Sequence, residues 1–239
     1  MGPSIKLDNV SLSIAGNQIL SPISAELCAG KMHLLVGPNG AGKTSLLKSM
    51  LGLTPHQGEI QRAWMNKAQR PAYIPQQPRF DQVLPVTISD FLIAGLSRKP
   101  VFFRRRTETQ DTVLELLETV GLQGKAELQL GQLSGGERQR LMFAQALSRS
   151  SDLWFLDEPM TGLDAEGQAL ITDLMLNLRE QGKTLVVVHH DMGFVREHAD
   201  NVLLINGGLV DMGLPSEVDL GIVGASFDSS SKREMEAVA

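Results

Sequence analysis

The chain has 239 residues, with 27 acidic against 22 basic side chains and a net charge of −5. Hydrophobic residues make up 42% and charged residues 21%, which excludes collagen-like, coiled-coil and wholly disordered classes. The acidic balance gives no nucleic-acid footprint. The sequence holds no run of about eighteen apolar residues, so no bilayer-spanning helix is expected. The single Cys28 excludes an internal disulfide framework and fits a reducing compartment.

Met1 to Ser13 carries Lys6 and Asp8 and lacks a long apolar stretch, so no signal peptide is expected there. Ile5, Leu7, Val10, Leu12 and Ile14 alternate roughly, which predicts one or two edge strands. The slip between Leu7 and Val10 predicts a bulge or turn near Asp8-Asn9. Leu34-Leu35-Val36 is a short apolar run that ends at glycine, and Leu46-Leu47 and Met50-Leu51 then recur at helical spacing. Val113, Leu116, Leu117 and Val120 form a second helical stripe. Ser134 to Ser148 is a third, opened by a capping box of Ser134 and Glu137. Leu153–Leu156 runs into an acidic pair, and Leu170, Ile171, Leu174 and Leu178 mark a fourth helix. Leu185–Val188 and Val202–Ile205 complete the apolar runs. Short, β-branched-rich runs between helical patterns predict buried parallel strands. The reading is an α/β core over about 1–77 and 149–220, a helical insertion over about 78–148, and a loose Gly/Ser tail over 221–239.

Gly37-Pro38-Asn39-Gly40-Ala41-Gly42-Lys43-Thr44 fits the P-loop pattern, in the required context of strand before and helix after. Its glycines let backbone N–H groups turn inward on phosphate oxygens, and the helix N-terminus adds partial positive charge. Lys43 is expected to reach the β- and γ-phosphates, and Thr44 to give a hydroxyl to Mg²⁺. Asp157 and Glu158 stand at the C-terminal end of a buried strand, where open α/β sheets bind ligands. Asp157 is the candidate Mg²⁺ ligand, and Glu158 is placed to polarise an attacking water.

Between these elements lies Leu133-Ser134-Gly135-Gly136-Glu137, followed by Arg138-Gln139-Arg140. Gln76 lies in Tyr-Ile-Pro-Gln, Asp164 in Gly162-Leu163-Asp164, and His190 in Val188-His189-His190-Asp191. Taken together and in this order, the motifs, with Leu133 to Glu137 as the signature sequence, resemble those of the nucleotide-binding subunit of an ATP-binding-cassette (ABC) transporter, over about Ile5 to Pro215. The resemblance implies a P-loop NTPase (RecA-like) core with an antiparallel β edge and a helical ABC-type subdomain. It implies ATP and Mg²⁺, and two nucleotides sandwiched in a head-to-tail dimer of this chain. Ser134, Gly135 and Gly136 would face the phosphate held by the partner's P-loop, where Ser45 follows Thr44. Asp164 would cross the interface. Gln76 would sense Mg²⁺ and the attacking water, Glu158 would be the catalytic carboxylate, and His190 would contact the γ-phosphate. His190 is chosen over His189 because the family pattern has histidine directly before the aspartate.

Two positions depart from that pattern. Ile14 stands where the family has an aromatic residue over adenine, which removes ring stacking. The Thr44-Ser45 order reverses the common one, and either hydroxyl can ligate Mg²⁺. The resemblance further implies a separate integral membrane permease, a solute-binding protein, and a place on the cytoplasmic face of the membrane. Gln76 lies 33 positions after Lys43. That compact spacing, with Gln77-Pro78-Arg79-Phe80-Asp81 and Leu84-Pro85-Val86-Thr87-Ile88 beyond it, is similar to ATPases of zinc and manganese importers. Importers of iron–siderophore or other small solutes are the next class, and a soluble non-transport ABC ATPase is the alternative after that. His33, His56 and His198 are scattered and read as structural. Arg98, Lys99 and Arg104-Arg105-Arg106, broken by Phe102-Phe103, read as a solvated segment or a patch near permease and lipid phosphates.

Overall fold

Inward apolar residues at Ile5, Leu7, Val10 and Leu12 build β1 (Ser4–Ile14). The alternation slips at Asp8-Asn9, where both side chains are exposed and Asn9 takes φ 50°. That is the expected bulge, with a register shift between Leu7 and Val10. The strand is not an edge, however. It lies between β2 (Asn17–Leu27) and β4 (Gln57–Ala63) and pairs antiparallel with both. A turn at Ala15-Gly16, both at positive φ, returns the chain for β2.

The computed structural model describes residues 1–65, 67–77, 85–96 and 106–221, with side chains from 109 in the last segment. Arg98, Lys99, Phe102, Phe103, Arg104 and Arg105, the side chain of Arg106, Pro78 to Leu84, and the expected tail beyond 221 lie outside the described residues. The described chain falls into two compact units.

The first unit holds Met1–Ala68 and the described residues from Arg179 onward. Besides the three-stranded sheet, it contains β3 (Met32–Val36), flanked in parallel by β7 (Thr184–Val188) and β8 (Asn201–Ile205). Every residue of β3 and β7 is buried, which explains the apolar runs Leu34–Val36 and Leu185–Val188. An antiparallel β9 (Leu209–Gly213) closes against β8. The Asp200 carboxylate accepts from the Met32 N–H at 2.8 Å, and the Asp200 N–H returns a bond to the Met32 carbonyl at 3.0 Å. Helices α1 (Lys43–Leu51) and α6 (Met192–His198) follow β3 and β7.

The second unit, Gln69–Leu178, pairs β5 (Ala72–Ile74) in parallel with β6 (Leu153–Asp157). Its helices are α2 (Ile88–Leu96), α3 (Arg106–Thr119), α4 (Gly135–Leu147) and most of α5 (Ala165–Glu180). Val113, Leu117, Val120, Leu141, Phe143 and Trp154 are buried in it. Backbone bonds from Ile88 to Leu128, Ser89 to Ala126 and Leu130 to Val86 tie the start of α2 to the segment before the signature sequence. Among the described residues, no helix is long and apolar enough to cross a membrane.

Candidate active site

In the first unit the P-loop wraps closely because its glycines permit it. Gly37 has φ 144°, and a Cβ there would lie 1.9 Å from the Ile205 carbonyl oxygen. Gly42 has φ 95°, and its added Cβ would meet Leu20 at 2.5 Å. A side chain at Gly37 would force backbone apart and one at Gly42 would displace Leu20, and both positions hold a φ that L residues rarely adopt. Gly42 also stands at the N-cap of α1 and offers no side-chain cap, so the amides of the first turn are left to other partners. The Lys43 ammonium folds into the loop and donates to the Gly37 and Pro38 carbonyls, both at 2.8 Å. Lys43 is only 6% exposed, so its charge is concentrated at the loop. Ala41 is buried, Pro38, Thr44 and Ser45 are half-buried, and Asn39 and Gly40 are exposed.

The two histidines separate by environment. His189 donates its backbone N–H to the Leu35 carbonyl at 3.3 Å, which sets the end of β7 beside the strand that leads into the P-loop. Its ring is buried and stacks on Phe194 at 4.4 Å between centroids. Burial, and then the neighbouring His190 charge, pull its pKa down to about 4. The neutral ring accepts the Asp191 N–H at Nδ1. His190 is exposed. His33 is structural: its Nε2 is bonded to the Cys28 carbonyl, and burial lowers its pKa.

The second unit assembles the acidic group. Asp157 is 2% exposed at the end of β6. Burial, with the Asp157 charge beside it, pushes the Tyr73 phenol up to about 12. Glu158 takes φ 47°, a left-handed conformation that is strained for a glutamate and is found at functional sites. Gln76 donates its Nε2 to Glu158 Oε2 at 2.7 Å. Thr161 donates its hydroxyl to the same oxygen at 3.2 Å, and its N–H to the Glu158 carbonyl at 3.2 Å. Sequence reasoning missed Thr161, although a hydroxyl three residues after the acid in a Pro-containing turn is a recognisable signal. Asp164 accepts the Gly167 N–H at 2.9 Å at the start of α5 and is itself exposed.

Ser134 caps α4 as the capping box predicts. Its hydroxyl oxygen accepts the Glu137 N–H at 3.2 Å, and its own N–H donates to Glu137 Oε2 at 2.8 Å. Gly135 offers open space for a Cβ, whereas at Gly136 a Cβ would meet Leu163 at 3.2 Å and the Gly162 oxygen at 3.3 Å. The signature turn therefore packs on the loop that carries Asp164.

Thr44 in the first unit, and Asp157 and Gln76 in the second, each carry an oxygen donor of the kind that suits Mg²⁺. Among the described residues, no group of three or more His, Cys, Asp or Glu is placed to hold a metal.

Comparison with known proteins gives three results. The ABC transporter family model matches residues 20–161. The chain is similar to the manganese transport system ATP-binding protein MntB of Halalkalibacterium halodurans, with 36% identity over 91% of this chain and 89% of that protein. It is 35% identical to the zinc transport system ATP-binding protein TroB of Treponema pallidum, over 85% of this chain and 78% of that one. Among solved structures, it resembles a metal-chelate type ABC transporter in an inward-facing conformation, with a TM-score of 0.78 and 23% identity over 94% of this chain and 90% of that one. It also resembles an ATP-binding cassette in a dimeric post-hydrolysis state bound to ADP and Pi. There the TM-score is 0.75 and the identity 24%, over 88% of this chain and 98% of that one.

Proposed function

The chain belongs to the ABC transporter family, and on that premise we propose that it powers import of a divalent metal ion, manganese or zinc, through a separate membrane permease. It is an ATPase that binds ATP. The cargo reading rests on one observation: the manganese- and zinc-system relatives match it over most of its length.

In this reading Lys43 and the P-loop amides hold the triphosphate. Thr44 and Asp157, with Gln76, would hold Mg²⁺, which supplies charge neutralisation across the phosphates. Glu158 accepts the proton of the attacking water, with Gln76 and Thr161 fixing the orientation of its carboxylate. His190 contacts the γ-phosphate. Ser134, Gly135 and Gly136 of a second copy complete each site, with Asp164 at the same interface, so the working unit is a head-to-tail dimer. Hydrolysis opens that dimer and moves the permease. The dimer sits peripherally on the cytoplasmic face, and a solute-binding protein delivers the ion. The cargo is handled by those partners.

A strain lacking this chain tests the proposal. It should fail to grow when manganese and zinc are chelated, and regain growth when one of the two is restored. Uptake of radiolabelled manganese and zinc that stays at the wild-type rate would overturn the cargo reading. Isolation of the chain from membranes with a permease would support the partner reading.

A further inference from the structure

Lys125 belongs to none of the motifs, yet it reaches the signature helix. Its ammonium bonds Glu137 Oε1, while Glu137 Oε2 accepts the Ser134 N–H. One carboxylate thus joins three things: the loop after α3, the capping residue and the first turn of α4. The same loop is gripped twice more from α4, by Arg140 on the Gly121 carbonyl at 3.2 Å and Arg138 on the Leu133 carbonyl at 3.0 Å.

The chemistry of this turn poses a problem. A helix N-terminus attracts phosphate, but a carboxylate three residues beyond the cap repels it. A neutral glutamine would serve the capping box equally well, because its amide oxygen can accept the same Ser134 N–H. This chain carries the charged residue instead and sets a cation against its second oxygen. Ser134 has its hydroxyl oxygen engaged by the Glu137 N–H, and its own hydrogen remains to donate to a ligand.

We propose that Lys125 is a positioning residue for hydrolysis: it holds and neutralises the Glu137 carboxylate, so that the N-terminus of α4 and the Ser134 hydroxyl meet phosphate without an opposing charge. The inference rests on the reading of Ser134 as a phosphate contact of the partner's nucleotide. Lys125 itself need not touch ATP. Glu137, accordingly, is held down to about 2, first by its bond to Lys125 and then by the Ser134 N–H.

The test uses the purified full chain with Mg-ATP, reading kcat and KM, together with binding of a fluorescent ATP analogue by dilute protein. Lys125→Met should lower kcat about fivefold while leaving analogue binding unchanged. Adding Glu137→Gln to that variant should restore most of the rate, because the charge that needed neutralising is gone. Lys125→Arg should keep the wild-type rate. Thermal melting of each variant separates loss of fold from loss of rate. Lys125→Met at the wild-type rate, or a double variant as slow as Lys125→Met alone, would overturn the proposal. Ser134→Ala provides the separate control. If it hydrolyses ATP normally, the underlying reading fails whatever Lys125 does. If it is slow and Lys125→Met is not, only the Lys125 inference fails.

Discussion

Helices α1 and α4 both present an N-terminus to phosphate in the proposed mechanism, but they are built in opposite ways. The α1 end is capped by a glycine without a side chain and wrapped by backbone, with a buried lysine folded into the loop. The α4 end is closed by a reciprocal Ser134–Glu137 capping box and leaves Ser134 and Gly135 exposed. In that mechanism the first arrangement encloses a phosphate within one chain. The second offers a hydroxyl and open space to something approaching from outside. A loop that envelops its ligand must give up side chains, whereas a surface that docks on a ligand can keep them.

Four predictions sharpen or break this contrast. Glu158→Gln removes the proton acceptor that both ends serve and should cost about a thousandfold in hydrolysis while ATP binding persists. Gel filtration with ATP should then show a dimer, and turnover near wild type would dismiss Glu158 as the catalytic carboxylate. Gly37→Ala tests the enveloping end. Its Cβ overlaps the Ile205 carbonyl, so unfolding in urea should show a loss of about 3 kcal/mol, along with loss of ATP binding. Ser134→Ala tests the docking end and should slow hydrolysis about a hundredfold with nucleotide binding by dilute monomer intact. Equal loss of both activities would erase the distinction between the two ends. The smallest effect concerns pH. His189 titrates near 6.5 when unfolded and about 4 when folded, so the unfolded chain takes up its proton first. Stability should therefore fall as pH drops from about 6.5 to about 4, by about 2 kcal/mol at pH 5 relative to pH 7. Glu137 continues the decline from its unfolded 4.5 toward about 2. Urea midpoints for His189→Leu should be flatter between pH 7 and 5 than those of wild type, and parallel curves would refute the assignment.

The buried strands and the capped helix were legible for a simple reason. β3, β6 and β7 are buried along their whole length, so each carries three or four consecutive apolar residues. Ser134 and Glu137 announce the start of α4 by residue type alone. The strands β2, β4 and β9 escaped notice because each is substantially exposed, and Gln57–Ala63 contains no fully buried residue. Helix α6 has seven residues, too few to establish a period. The central place of β1 was misread as an edge because alternation records which face is buried and says nothing of how many neighbours a strand has.

By itself, the sequence determined the phosphate loop, the acidic pair, the signature turn and their order, since those depend on residue type at short spacing. Only the tertiary structure decided which groups meet across long spans of chain. It bonds Gln76 to Glu158 across 82 positions, adds Thr161 to the same oxygen, and presses Gly37 against the Ile205 carbonyl. It also buries His189 while exposing His190, two identical side chains one residue apart. The reason is physical. Local chemistry selects turns and caps, while burial and partnership depend on what the remainder of the chain packs against each residue.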